Sequence, residues 1–237
     1  MKRVDSVISL IYSMSKAEKK AFSVQMLKDK EEKDYLVIYD IITKSKQLDS
    51  KNVKGEFHKR RPGGSFEVSI QYLYERLTDS LLTLRKKKDI YYDLLNNLCK
   101  ARMLYERSLF EECFEILSDT IEQATYYENN EVLTIALKLE LEYLLRLNFP
   151  NLAESELYHK HFMQNEALKK TRKIVEQSSL HNLLKYRLSH IGSIRTSKQK
   201  QDMNDLMVNE LSIAASSGIE GNFELMRNHR LFQANYL

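Results

Sequence analysis

Apolar residues recur every three to four positions through most of this chain, the spacing that gathers them on one face of an α-helix. Three helices are predicted first, near residues 3–14, 16–28 and 32–47. "SKAE" at 15–18 reads as a capping box, in which the Ser15 hydroxyl accepts from the N–H three residues on and Glu18 reaches back. "SFEVSIQYLYERLTDSLLTLRKKK" is a longer helix with Ile70, Leu73, Leu77, Leu81 and Leu84 as its stripe. Its basic end suits the negative end of the helix dipole, and Asp89 is placed to cap the next helix.

From residue 90 the pattern predicts helices in pairs: 90–107 with 110–127, 131–147 with 151–175, and 177–191 with 202–216. A last helix begins near 221. Phe110, Cys113, Phe114, Leu117, Ile121 and Ala124 form a one-sided stripe. Helix 131–147 is apolar nearly all round, through Val132, Ile135, Ala136, Leu139, Leu141, Leu144 and Leu145, and so needs cover on several sides.

The chain has only six Gly and two Pro, which fits an all-α protein, because these residues interrupt helices. Gly55, Pro62, Gly63 and Gly64 fall together in "DSKNVKGEFHKRRPGGS", which reads as a basic flexible linker over 48–65. It divides an N-terminal helical module, 1–47, from a helical repeat region, 66–237. Pro150 reads as sitting just inside a helix start, where its missing N–H costs nothing.

A weak internal repeat supports stacking of the hairpins. Displaced by 40 positions, Ala101, Leu104, Tyr105, Cys113 and Leu117 fall on Leu141, Leu144, Leu145, Ala153 and Leu157, with apolar character kept throughout. A period near 40 lies in the range of helical solenoids. "ARMLYERSLFEECFEILSDTIEQA" resembles a tetratricopeptide (TPR) repeat, with Ala101, Phe110, Cys113 and Leu117 at the family's small, aromatic, small and large apolar places. The likeness covers 94–127, and 134–164 more loosely. Asn97 and Lys100 depart from the family's apolar preference. "LIYSMSKAEKKAF" is also similar to the opening of some uncharacterised bacterial helical-repeat proteins.

The TPR resemblance implies a right-handed α-solenoid of stacked hairpins whose concave surface binds a protein or peptide. In this sequence it puts Leu98, Arg102, Tyr105 and Glu106 on the groove side, with Lys138, Glu142 and Arg146 from the looser second unit. Such a lining could clamp an extended peptide through charge-assisted hydrogen bonds and an aromatic surface. "FELMRNHRLFQANYL" then ends on the apolar residues Leu231, Phe232, Tyr236 and Leu237. The expectation is that the preceding hairpin together with a partner or a second copy covers this C-terminal helix, or that the natural chain continues.

Charge adds a competing reading. Residues 1–100 hold 21 Lys and Arg against 14 Asp and Glu, residues 101–160 hold 5 against 12, and residues 161–237 hold 11 against 7. Lys59, Arg60, Arg61, Lys86, Lys87 and Lys88 form a candidate basic patch, with Tyr12, Phe22, Tyr72 and Tyr74 nearby in sequence. The alternative is therefore a nucleic-acid-binding regulator that uses its basic N-terminal half, with the repeat region as sensor or dimerisation domain.

Catalytic signatures are lacking. The chain has no phosphate-binding glycine loop, no HExxH and no GxSxG. His159 and His161 are two apart and diverge on a helix, so no metal site is expected, and neither is a cofactor. Cys99 and Cys113 fit no zinc or redox spacing and read as small core residues of a cytoplasmic protein. No apolar run reaches the roughly 18–20 residues that span a bilayer. The expected function is a non-enzymatic protein- or peptide-binding scaffold.

Overall fold

A computed structural model describes residues 2–26, 33–44, 49–86, 88–191, 196–217 and 222–236. Among these, all regular structure is helical. The chain divides into two units, 1–93 and 94–237, each with its own packing.

The first unit holds α1 (Lys2–Ser13), α2 (Lys16–Met26), α3 (Asp34–Lys44), α4 (Ser50–Arg60) and α5 (Phe66–Lys86). α5 packs against each of the other four, and α3 also contacts α1 and α4. Phe22, Ile38, Ile42, Val53, Phe57, Leu73 and Leu77 are fully buried between them. The capping box closes as expected: Ser15 N donates to Glu18 Oε2 at 2.8 Å and Glu18 N donates to Ser15 Oγ at 3.2 Å. These bonds hold the Glu18 carboxyl below its ordinary range, helped by the charges of Arg85 and Lys88.

Residues 48–65 are not a flexible linker. Most of the segment is α4, capped by Asp49, whose Oδ1 accepts from Asn52 N at 2.8 Å. Its composition is polar, but Val53 and Phe57 stand one turn apart and are both fully buried. Burying that pair contributes about 1.5–3 kcal/mol per side chain, enough to dock an otherwise polar helix. Gly64 is a packing glycine rather than a hinge: a Cβ there would come within 2.8 Å of the Phe57 ring. The border therefore lies at 93/94, in the first turn of α6, and not at 65/66.

The second unit contains most of α6 (Ile90–Glu106), then α7 (Phe110–Tyr126), α8 (Asn130–Arg146), α9 (Glu154–Ile191), α10 (Ser197–Ser217) and α11 (Phe223–Tyr236). α7 packs on α8 and α8 on α9, while α9, α10 and α11 contact one another. Asp89 accepts from Tyr91 N at 3.0 Å and so caps α6.

Helices α6, α7 and α8 are each 17 residues long and are joined by three-residue turns. Each helix ends with a non-glycine residue in the left-handed conformation: Ser108 (φ 61°), Glu128 (φ 54°) and Asn148 (φ 59°). The hydrogen bonds are those of a Schellman ending. Ser108 N donates to Tyr105 O and Leu109 N to Leu104 O; Glu128 N donates to Thr125 O and Asn129 N to Ala124 O. Asn148 N and Phe149 N repeat the arrangement on Leu145 O and Leu144 O. A helix-plus-turn unit of 20 residues thus recurs, and two units make the 40-residue period.

The period does not extend to burial, nor past α8. Ala153, the expected counterpart of buried Cys113, is exposed and precedes α9. Leu145 is 60% exposed and Ile135 45% exposed, so α8 is not covered all round. Its buried stripe is Val132, Leu133, Ala136, Leu137, Glu140, Tyr143 and Leu144. The helices expected at 151–175 and 177–191 are one helix of 38 residues, α9, because no Gly or Pro interrupts Glu154–Ile191. Pro150 lies before that helix, in a turn where Phe149 and Asn151 both have positive φ.

At the C-terminal end, Leu225 and Phe232 are buried, Phe232 with Leu184 of α9 and with Met203 and Leu206 of α10. The chain itself covers this face of α11. Leu231 remains 42% exposed, and Leu237 lies outside the described residues.

Candidate functional site

The structure brings part of the expected groove lining together at the ends of α6 and α8. Tyr105 stacks face to face on Tyr143, with ring centroids 3.8 Å apart and planes 7° from parallel. Phe110, the first residue of α7, leans against Tyr105 with ring centroids 5.2 Å apart. The turn after α6 fixes this geometry, since it returns the chain within three residues. Cys113 is fully buried beneath, and burial pushes its thiol pKa up.

Two ion pairs border the stack. Arg102 Nε meets Glu106 Oε1 at 3.2 Å on α6, and Arg146 Nη2 meets Glu142 Oε1 at 2.6 Å on α8. Burial raises the Tyr143 phenol pKa, and the charges of Arg102, Glu142 and Glu106 all act on it. Arg102, Glu106 and Glu142 therefore lie close to one aromatic pair, and Arg146 joins it through Glu142. Tyr143 is not in the lining that the TPR resemblance implies, and the 40-residue displacement sets Leu145 opposite Tyr105. The signal for it was local: Tyr143 follows Val132 and Ala136 at helical spacing on the buried stripe.

One expected member stands apart. Leu98 is buried at 7% exposure and belongs to the packing of α6, not to its open face. Lys138 is exposed on α8, one turn before Glu142. Cys99, expected in the core, is exposed.

Behind this region a cavity of about 320 Å³ opens between α7, α8 and α9, lined in part by Ser118, Leu137, His159 and Met163. Glu140 and Lys160 face one another there, with Nζ 2.8 Å from Oε1. Glu140 is a charged residue in an otherwise apolar stripe, and its Oε2 is buried with no partner. A second cavity, about 370 Å³, lies in the first unit, where Arg3, Lys51 and Lys54 rim Val4, Phe66 and Ile70.

The candidate basic patch is not one surface. Lys59, Arg60 and Arg61 lie at the end of α4, next to the start of α5, whereas Lys86 and Lys88 lie at the far end of α5. That helix has 21 residues, so the two groups are about 30 Å apart. Acids also meet the first group: Glu56 holds Lys59 at 2.6 Å, Asp40 holds Arg60 at 3.1 Å, and Asp34 lies 3.6 Å from Arg61. Glu18 sits within the field of Lys88. Lys87 lies outside the described residues.

Among the described residues, no group of three or more His, Cys, Asp and Glu side chains is placed to hold a metal ion, and no helix is long and apolar enough to cross a membrane. No family model, curated protein or solved structure matches the chain.

Proposed function

We propose that the protein is a non-enzymatic scaffold that binds a protein or peptide segment on the face formed by the ends of α6 and α8, in the manner of a helical-repeat solenoid. The observation that carries this reading is the Tyr105–Tyr143 stack, bordered by Arg102, Glu106, Glu142 and Arg146. Both ion pairs are exposed and lie within single helices, so each contributes little to folding. Their charges are accordingly free to re-pair with a partner at small cost, forming charge-assisted hydrogen bonds beside a rigid aromatic surface. The repeated 20-residue unit of α6, α7 and α8 supports a repeat architecture.

The test is selection from a library of random extended peptides, followed by anisotropy measurements on the winners. Peptides with alternating charge around an aromatic or aliphatic residue are expected. Arg102→Glu combined with Tyr105→Ala should weaken them at least about tenfold, the equivalent of losing about 1.4 kcal/mol. Equal affinity in that variant would remove the site.

A further inference from the structure

α9 carries an uncovered stripe with an internal symmetry. Tyr158, Phe162, Leu168, Val175, Leu183 and Tyr186 are all exposed, the three aromatic residues by 61–69%. At 100° per residue they fall within an arc of about 140°, opposite the face on which Ala167, Gln177 and Leu184 are buried. Over the 28 helical steps from Tyr158 to Tyr186 the stripe is about 42 Å long.

Its members are arranged in pairs about Arg172. Tyr158 lies fourteen residues before it and Tyr186 fourteen after; Phe162 lies ten before and Leu183 eleven after; Leu168 lies four before and Val175 three after. Lys169 and Glu176, of opposite charge, stand three before and four after. We infer that α9 is an isologous docking surface for a second copy of this chain, with the two α9 helices antiparallel and the two-fold axis at Arg172.

In that arrangement Tyr158 meets the partner's Tyr186, Phe162 meets the partner's Leu183, and Lys169 meets the partner's Glu176. A two-fold axis produces each contact twice. A parallel arrangement would set Lys169 on Lys169 and Glu176 on Glu176, which repel. Arg172 meets its own copy at the axis; Glu176 Oε1 of the same chain neutralises it at 2.8 Å, and Lys169 is held by Glu166 of its own helix at 2.8 Å, so the contact between copies joins ion pairs that each helix already makes. A strip about 42 Å long and about 10 Å wide offers on the order of 400 Å² per copy, half of a standard interface. The dimer should therefore be reversible and should dissociate on dilution.

Single cysteines in the full chain test the register, with exposed Cys99 replaced by Ser. Under mild oxidation Arg172→Cys should cross-link to itself and Tyr186→Cys should not. Mixed Tyr158→Cys and Tyr186→Cys chains should cross-link to each other. Self-cross-linking of Tyr186→Cys as efficient as that of Arg172→Cys would overturn the antiparallel pairing. Sedimentation equilibrium of the native chain provides the second measurement, with Lys169→Glu expected to raise the dimer dissociation constant about tenfold. A monomer at every concentration, or an unchanged dissociation constant in Lys169→Glu, overturns the proposal.

Discussion

Tyr105 and Tyr143, separated by 38 positions in sequence, stack at 3.8 Å with nearly parallel rings. The contact joins the end of α6 to the end of α8 and bridges across the helix between them. Aromatic pairs contribute about 0.5–1.5 kcal/mol beyond their buried area. A double-mutant cycle of Tyr105→Ala and Tyr143→Ala, followed by urea denaturation, should give a coupling of that size. A coupling near zero would mean that the rings are neighbours without being partners.

Ser108 holds a left-handed conformation that costs a residue with a Cβ about 1 kcal/mol. Ser108→Gly should therefore stabilise the protein by roughly 0.5–1 kcal/mol, visible as a higher urea midpoint. Glu128→Gly should gain less, although its φ is similar. Glu128 Oε2 accepts from Phe223 N at 2.8 Å at the start of α11, and glycine would forfeit that bond.

Lys160 compensates a carboxylate with only 8% of its side chain exposed. Lys160→Met should cost about 3 kcal/mol, because it leaves the Glu140 charge buried without a partner. Adding Glu140→Leu should recover most of the loss. Thermal denaturation of the single and double variants checks this, and an additive loss in the double variant would contradict the pairing.

Glu18 gives the first unit a pH-dependent link. Its pKa in the folded protein is lowered by the capping bonds to Ser15, so the link stabilises fully above the ordinary glutamate pKa. It weakens as pH falls through the lowered value. Glu18→Ala should therefore be less stable than the native chain near neutral pH, and the two should converge as acid protonates the carboxylate. Ser15→Ala should cost about 1 kcal/mol near neutral pH. Urea titrations across the acid range measure both.

The extents of α1, α5, α6, α7 and α8 were legible in the chain, whereas α4 and the unbroken α9 were not. The Ser15–Glu18 box, the Asp89 cap and the stripe of α5 depend on bonds and contacts within a turn or two, and short-range chemistry specifies them. Arg102, Glu106, Glu142 and Arg146 were placed by the TPR resemblance, and the structure joins them in two ion pairs at a spacing of four. Tyr143 was missed and Leu98 misplaced, because which side of a helix is open depends on the helix packed beside it.

The all-helical character and the ends of α6, α7 and α8 thus belong to the sequence by itself, through periodicity and scarce breakers. Tertiary structure alone decided that Val53 and Phe57 turn a polar segment into packed α4. It also decided that Glu140 is buried while Leu145 is exposed. The reason is one of range. Backbone hydrogen bonds and caps join residues a few positions apart, whereas burial is set by whichever distant segment supplies the cover.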